Sequence, residues 1–402
     1  MSLQQIQAAE AAHVLSTYKR QPIAFVRGAG TRLYDDEGRE YLDLLSGIGV
    51  AALGHAHPRL AEAIADQAKT LLHTSNLFYH PLQGAVADRL STLSGLSRVF
   101  FCNSGTEAVE ACLKFARRYW FTTGETGRTE FVAFHHGFSG RTMGSLSVTW
   151  EANYRAPFQP LIPGVTFVEV GDVAALERAV TSATAAIIAE PIQGEGGVRP
   201  MPQAFADAIE SVCAHTGALL IADEIQCGLG RTGHPFYYQA LGLTPDLVPV
   251  AKALGAGVPV GATLVADRVA HAIAPGDHGT TYGGNLLACR AALVFLEELM
   301  DRGLLQHVVE TGHEFERGLR TLALKHPVIT EVRGAGLMWG LQLTVDATPV
   351  VAAALRHGLV VNRTNEKVVR LLPPYTITRE DIGLALTRLD AAFADAFAEI
   401  PA

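Results

Sequence analysis

The sequence predicts an α/β protein whose largest part is a doubly wound, mostly parallel sheet. Seven short apolar runs between residues 99 and 265 alternate with stretches of helical spacing, and this alternation is typical of repeated strand–helix units. Within each run the apolar residues follow one another directly, which indicates strands covered on both faces. The runs are Val99–Cys102, Phe131–Phe134, Thr166–Val170, Ala185–Ala189, Ala218–Ala222, Leu247–Val250 and Val260–Val265.

Shorter elements are predicted on either side of this region. Before it, Thr31–Asp35 and Arg39–Asp43 flank an Asp-Glu-Gly turn and predict a β-hairpin. After it, a long helical pattern begins near Asn285, and a mixed segment follows that we interpret as a smaller α/β domain. The apolar runs of that segment are Val332–Leu343, Leu359–Val361 and Val368–Leu372.

Composition excludes several classes of protein. The 402 residues are 49% hydrophobic and 18% charged, as in an ordinary soluble globular protein. A formal net charge of −8 argues against nucleic acid or an anionic membrane as the principal partner. No apolar run approaches the ~18 residues of a membrane span, and the N-terminus lacks the apolar core of a signal peptide. Five cysteines without a CxxC motif suggest reduced thiols in a cytoplasmic protein.

An acid and a base end two of the predicted strands. Asp223 follows the run Ala218–Ala222, and Lys252 comes directly after the apolar residues 247–251. The carboxyl ends of strands in such a sheet line the ligand crevice. A lysine leaving a buried strand is costly unless it is paired, lowered in pKa or covalently used. A simple ion pair with Asp223 is one explanation; a Schiff-base lysine is the other, because desolvation yields the neutral amine that imine formation requires.

A second candidate feature follows the first strand of the sheet. Ser104 and Glu107 fit a capping box at the start of a helix, with Gly105 and Thr106 between them. The free backbone N–H groups and the dipole of such a helix end form a phosphate cradle, although an ordinary helix cap is the favoured interpretation of this stretch taken alone. On the same helix, Glu110 and Lys114 are spaced to form an ion pair.

Two other motifs are ambiguous. Gly228–Gly233 matches the GxGxxG pattern of dinucleotide sites, but two carboxylates separate it from the strand and a proline follows it, so we interpret it as a turn. The pair His55 and His57 suggests a metal site, yet no further ligand is suitably spaced, and a loop is the simpler interpretation. Arg141 and Arg370 are candidates for binding carboxylates.

Five of these stretches together resemble the subgroup-III, fold-type-I aminotransferases, which use pyridoxal phosphate. The similarity extends over nearly the whole chain, from Arg27 to Pro374. Its most specific parts are Asn103–Ala108, Phe138–Thr142, Glu190–Glu195, Asp223–Gly228 and Ala251–Lys252. The resemblance implies a large pyridoxal-phosphate-binding domain at residues 55–290, and a small domain made of residues 1–54 and 291–402.

The resemblance also implies roles for the residues around the cofactor. Lys252 would bind the cofactor covalently and then move a proton between substrate and cofactor. Asp223 would keep the pyridine nitrogen protonated, so that the ring withdraws electrons. Gln226 would hydrogen-bond the phenolic oxygen, and Phe138 would stack on the ring.

The family's sites lie at a dimer interface, so the resemblance implies a homodimer. Ser104, Gly105 and Thr106 would hold the phosphate, and Thr281 would reach it from the other subunit.

Within the family the chain is most similar to enzymes that act on N-acetylornithine and 2-oxoglutarate. Arg141 would bind the α-carboxylate of the donor, and Arg370 the additional carboxylate of 2-oxoglutarate. Glu195 would neutralise Arg370 while the donor is bound. Ile48 stands where ornithine aminotransferases have a tyrosine that receives a free α-amine, which disfavours unacylated ornithine.

Several alternatives remain open at this stage. Succinylornithine, another acylated amine or 4-aminobutyrate are alternative donors, and Ser139 and Tyr375 depart from the family pattern near the expected substrate site. A nicotinamide-dependent oxidoreductase based on Gly228–Gly233, and a non-catalytic binding protein, are the alternatives from other classes.

Overall fold

A seven-stranded sheet forms the centre of the computed structural model, which describes residues 1–398. Its strand order is β4-β12-β11-β10-β7-β5-β6. The strands of the chain are β1 Phe25–Ala29, β2 Arg32–Asp35, β3 Glu40–Asp43, β4 Arg98–Cys102, β5 Glu130–Phe134, β6 Val165–Val168, β7 Thr184–Ala189, β8 Ile192–Gln193, β9 Arg199–Pro200, β10 Leu219–Ala222, β11 Leu247–Val250, β12 Gly261–Val265, β13 Ile329–Ala335, β14 Met338–Leu343, β15 Leu359–Val360, β16 Asn362–Thr364 and β17 Val368–Leu371.

Helices cover both faces of the sheet and surround the smaller sheets. They are α1 Leu3–His13, α2 Ser46–Gly49, α3 Pro58–Thr70, α4 Pro81–Ser94, α5 Gly105–Thr123, α6 Met143–Ser147, α7 Ala152–Arg155, α8 Val173–Ala179, α9 Gln203–Thr216, α10 Tyr237–Ala240, α11 Asp267–Ala270, α12 Leu286–Asp301, α13 Leu304–Lys325, α14 Thr348–Arg356 and α15 Arg379–Ala396, with short 3₁₀ turns at Ala156–Phe158 and Lys252–Gly255. Within residues 1–398, no helix combines the length and apolarity needed to span a bilayer.

The seven predicted apolar runs are the seven strands of the central sheet, so the α/β fold class is confirmed. Six strands run parallel, and β12 is antiparallel to both of its neighbours, β11 and β4. In β10, Leu219 and Ile221 face one core cluster and Leu220 faces the other. Because both faces of the strand are buried, every position is apolar. Each such side chain contributes about 1.5–3 kcal/mol by its burial.

Parallel alignment brings the ends of several strands to one edge of the sheet. β10 pairs with both β7 and β11 in parallel. Asp223 therefore follows β10 beside the residues that follow β7 and β11, namely Glu190 and Lys252. Ser104 follows β4 at the same edge, since β4 runs in the same direction as β11.

The N-terminal and C-terminal parts of the chain share a sheet. The predicted hairpin is present as β2 and β3, and β3 pairs in parallel with β15 from the C-terminal part. Strands β13, β14, β17 and β16 form a second sheet. The helix α12 continues across residue 290, where the sequence suggested a boundary. The division at residues 54 and 290 stays a prediction.

The glycine-rich stretch Gly228–Gly233 is a turn, as the sequence indicated, and no helix begins in it. Its buried Arg231 donates hydrogen bonds to the carbonyl oxygens of Leu337, at 3.1 Å, and Pro373, at 2.5 Å. The guanidinium lies 4.4 Å from the centre of the Tyr375 ring. Tyr375 is fully buried in this contact and lines neither cavity of the candidate site.

Two glycines inside helices test how closely α13 packs against the turn at Gly336. A Cβ added at Gly312, inside α13, would lie 2.7 Å from the carbonyl oxygen of Gly336, so we expect Gly312→Ala to destabilise the protein by about 1–3 kcal/mol. Gly383 lies inside α15 with no heavy atom within 4 Å of an added Cβ. Gly383→Ala should stabilise by up to about 1 kcal/mol, because alanine favours a helix more than glycine does. Urea unfolding measures both changes; equal effects of the two substitutions would contradict the close helix–turn contact.

Candidate active site

A cavity of about 420 Å³ lies at the carboxyl ends of the central strands. Eight of the eleven predicted site residues line it, namely Ser104, Gly105, Thr106, Phe138, Arg141, Asp223, Gln226 and Lys252. An adjoining cavity of about 920 Å³ shares Phe138, Arg141 and Lys252 with it and adds Glu195 and Ile48. Parallel strand packing therefore gathers residues that are up to about 150 positions apart in the chain.

Lys252 is held in an unusual backbone conformation just after β11. Its φ is +40°, in the left-handed region that costs a non-glycine residue of order 1–3 kcal/mol and is concentrated at functional sites. Burial lowers the pKa of its amine. In the described chain no carboxylate oxygen lies within 4.0 Å of Nζ. A direct ion pair with Asp223 is therefore absent, and the amine is available for chemistry.

Asp223 has one satisfied oxygen and one that lacks a partner. Oδ1 accepts a hydrogen bond from the backbone N–H of Ile225 at 3.1 Å, whereas the buried Oδ2 has no hydrogen-bond partner among the described residues. Burial raises the pKa of this carboxyl to about 7, against the opposing effects of the Ile225 N–H and Lys252. A buried, unsatisfied carboxylate oxygen in a cavity suits a cationic N–H donor such as a protonated pyridine nitrogen.

Ser104 caps helix α5 and turns its N-terminus toward the cavity. Its Oγ accepts from the Glu107 N–H at 3.3 Å, so this half of the predicted capping box is present. The other half is wrong, because Glu107 accepts from the backbone and side-chain N–H groups of Asn103. A Cβ added at Gly105 would lie 2.9 Å from Ile225. The 19-residue helix thus presents free N–H groups and a positive dipole end that suit a phosphate.

The predicted ion pair between Glu110 and Lys114 does not form. Glu110 accepts instead from the hydroxyl of Thr142 and from the backbone N–H groups of Gly144 and Ser145, at 2.5, 2.8 and 3.1 Å. Lys114 contacts His278. Uncapped N–H groups at the start of α6 are a stronger attraction for a carboxylate than a solvated lysine is.

Arg370 and Glu195 form an ion pair inside the site. Arg370 is 1% exposed, and its Nη1 lies 2.5 Å from Glu195 Oε1 and 3.2 Å from Gln226 Oε1. Its Nε donates to Asn362 Oδ1 at 3.2 Å. Burial alone would raise the pKa of Glu195, but Arg370 and Lys252 outweigh it and the pKa lies below its usual value. The predicted ion pair between Glu195 and Arg370 is therefore present.

Glu190 belongs to the site although the sequence analysis did not select it. It is half-buried and accepts hydrogen bonds from the backbone N–H groups of Phe138 at 2.8 Å and Gly194 at 3.0 Å. Burial, with the nearby Asp223, raises its pKa to about 8. It joins the loop of Phe138 to the loop of Glu195. The sequence could have indicated this residue, because Glu190 directly follows a buried strand, as Asp223 does.

Thr281 and Arg370 are the two predicted site residues that line neither cavity. Arg370 still contacts the cavity-lining Glu195 and Gln226, whereas Thr281 is exposed. Ser139 does line the smaller cavity.

The histidine pair of the sequence analysis forms no metal site. His55 hydrogen-bonds to Asp43 at 2.7 Å, and over residues 1–398 no three His, Cys, Asp or Glu side chains are grouped to hold a metal ion.

A buried lysine, an unsatisfied carboxylate and an anion-binding helix end within one α/β cavity define a class of enzyme. The class-III aminotransferase family model matches residues 15–393, and the chain belongs to this family. It is an aminotransferase, and its cofactor is pyridoxal phosphate. The oxidoreductase and the non-catalytic alternatives are therefore wrong.

Named relatives and solved structures agree with this assignment. The chain is 43% identical to an acetylornithine aminotransferase of Methanocaldococcus jannaschii, with 95% of this chain and 96% of that protein covered. It is 44% identical to one from Aquifex aeolicus, with 94% and 98% covered. The crystal structure of ornithine aminotransferase from Toxoplasma gondii superposes with a TM-score of 0.95 at 32% identity, covering 99% of this chain and 96% of that one.

A pH titration of stability tests the environment of Asp223. Its pKa is raised by folding, so the folded protein without cofactor holds a proton that the unfolded chain releases. Stability contributed by this group is present at pH below about 4 and is lost as the pH rises toward about 7. The free energy of unfolding of the wild type, relative to Asp223→Asn, should fall by a few kcal/mol over that range, or roughly 1.4 per pKa unit. With pyridoxal phosphate bound the fall should be smaller. A difference that is constant with pH would contradict the unpaired burial.

Proposed function

We propose that the protein transfers the distal amino group of N2-acetyl-L-ornithine to 2-oxoglutarate, giving N-acetyl-L-glutamate 5-semialdehyde and L-glutamate, a reaction of arginine biosynthesis. The observation that carries the choice of substrates is the contrast between two arginines. Arg370 is neutralised by Glu195, whereas no described residue forms an ion pair with Arg141. With Arg370 paired to Glu195, only Arg141 is available to bind a carboxylate, and this suits a donor that carries a single carboxylate. The relatives named above support the same donor.

When bound, pyridoxal phosphate takes up the amino group and withdraws electrons from the substrate carbon that loses a proton. Lys252 supplies a buried amine with a lowered pKa, suited to accept that proton and return it. Asp223 would place its unsatisfied oxygen against the pyridine N–H and keep the nitrogen charged. Gln226 would bond the phenolic oxygen, and the Phe138 ring would cover one face of the cofactor and exclude water.

The phosphate would lie at the N-terminus of α5. Ser104, Gly105 and Thr106 form that end of the helix, where backbone N–H groups and the helix dipole favour an anion. The three residues line the same cavity as Lys252. A phosphate held there would set the cofactor's position along the axis between the helix and the lysine.

Glu195 allows one pocket to take two differently charged substrates. With the donor present, it stays on Arg370 and no buried cation is left unpaired. With 2-oxoglutarate, the second carboxylate would replace Glu195 on Arg370, while Arg141 binds the other carboxylate. Discrimination thus rests on which anion pairs with Arg370.

The cavity around Ile48 bears on the donor's acyl group. Ile48 lines the larger cavity, and its side chain offers no hydrogen-bond acceptor for a free α-amine. This favours acylated over free ornithine. A cavity of about 920 Å³ also has room for a longer acyl group, so succinylornithine is expected as a further donor.

A homodimer with shared sites is part of this proposal. Leu77, Phe78 and Tyr79 are 85%, 67% and 106% exposed, and large apolar side chains exposed together mark protein interfaces. The neighbouring Asn76 donates to the carbonyl oxygens of Thr280 and Gly283, which fixes the loop of Thr281 beside this apolar surface. Thr281 would therefore reach the phosphate of the partner subunit. Five free cysteines fit a cytoplasmic location.

A donor panel with glutamate formation as the readout tests the proposed function. We expect kcat/KM for N-acetylornithine to exceed that for ornithine and for 4-aminobutyrate by at least about ten-fold, because an unpaired buried polar group costs about 1–3 kcal/mol. Lys252→Ala, purified with its fold intact, gives the background rate. A clear preference for 4-aminobutyrate or for free ornithine would refute the choice of donor.

The two half-reactions test the role of Glu195 separately. Glu195→Gln keeps the shape of the side chain but leaves Arg370 without its anion while the donor is bound. We expect the donor half-reaction to slow by about ten-fold or more, since unmasking a buried charge costs several kcal/mol, and the 2-oxoglutarate half-reaction to change little. Single-turnover absorbance measurements follow each half. Equal losses in both halves would mean that Glu195 does not act as a switch.

A further inference from the structure

The two substrate-binding arginines are held in different ways. Arg370 is buried, and Glu195, Gln226 and Asn362 accept hydrogen bonds from it. Arg141 is exposed, and within residues 1–398 no group accepts a hydrogen bond from its guanidinium. Something other than hydrogen bonding must orient a long side chain that would otherwise sample many rotamers.

An aromatic ring lies directly under the guanidinium of Arg141. The carbon Cζ is 3.5 Å from the centre of the Tyr154 ring and 5.7 Å from the centre of the Phe138 ring. A cation at the face of an aromatic ring is attracted by about 0.5–2 kcal/mol. Contact through the face fixes the plane of the guanidinium and leaves its N–H groups, which lie in that plane, free for a carboxylate.

The position of Tyr154 is fixed by its own surroundings. It lies in α7, whose N-cap Glu151 accepts a hydrogen bond from the N–H of Asn153 at 3.0 Å. The next residue, Arg155, donates to the carbonyl oxygen of Trp150 at 3.1 Å and lies 4.6 Å from the Phe167 ring. These contacts hold the backbone of α7 on either side of Tyr154, whose own side chain is 38% exposed. Its hydroxyl bonds to no described residue, so the ring face is the part that matters.

We propose that Tyr154 is a positioning residue that presents Arg141 for bidentate binding of the substrate's carboxylate. The inference rests on the proposed function, in which Arg141 receives the α-carboxylate of N-acetylornithine. Tyr154 itself lines the larger cavity with Arg141 and Lys252. It acts through Arg141, and its removal should affect only substrates that carry a carboxylate at that place.

Two donors and two substitutions test the proposal. N-acetylputrescine is the matched donor, because it has the same amine and acetyl group as N-acetylornithine but lacks the α-carboxylate. In Tyr154→Leu, which keeps apolar bulk but no ring, we expect KM for N-acetylornithine to rise about ten-fold while kcat at saturation stays close to wild type. For N-acetylputrescine kcat/KM should stay within about two-fold of wild type. Tyr154→Phe, which keeps the ring, should behave as wild type with both donors.

The possible outcomes separate this inference from the proposed function. Equal losses with both donors, or no loss with N-acetylornithine, would overturn the role of Tyr154; so would a loss in Tyr154→Phe as large as in Tyr154→Leu. If the wild type does not use N-acetylornithine, the proposed function fails. The comparison is then made between the carboxylated donor that the wild type does use and that donor's decarboxylated analogue, and the same three outcomes would overturn the inference.

Discussion

An acid and a base, the buried Asp223 and the half-buried Lys252, follow neighbouring parallel strands, and the site depends on their not pairing with each other. Desolvation raises the pKa of the acid and lowers that of the amine, so each is held closer to its neutral form than it would be in water. Such an arrangement is costly for the protein alone. In the roles proposed for Asp223 and Lys252, a cofactor with a cationic nitrogen at one end and an aldehyde at the other would relieve both costs.

The same electrostatic reasoning extends to the substrate groups. Arg370 is fully buried, and a cation there needs an anion at every stage; Glu195 is 2.5 Å away to supply it. Arg141 is exposed and lies on the face of the Tyr154 ring, so it tolerates the absence of an anion; in the proposed function it receives a substrate carboxylate. Burial therefore decides which arginine needs a protein carboxylate as a switch and which does not.

Much of the fold followed from local pattern. The seven strands were found from apolar runs, since a strand covered on both faces has few polar positions; the buried Thr184 in β7 and Thr263 in β12 are exceptions. The errors came where side chains had a choice of partner. Glu110 bonds the start of α6 instead of Lys114, and Glu107 reaches Asn103 instead of Ser104. In each case the winning partner lies on another turn or another element, at a distance that sequence spacing does not specify.

By itself, the sequence determined the strand–helix order, the capped helix end at Ser104, and the placing of Asp223 and Lys252 after buried strands, because these depend on local periodicity and on the parallel-sheet rule. Only the tertiary structure decided that Glu190 ties two loops of the site together and that Tyr154 lies under Arg141. The contacts of Tyr154 with Arg141 and of Glu190 with Phe138 join residues about 13 and 52 positions apart. Their geometry is set by how loops leave the sheet and pack over one edge of it, which is a property of the whole fold.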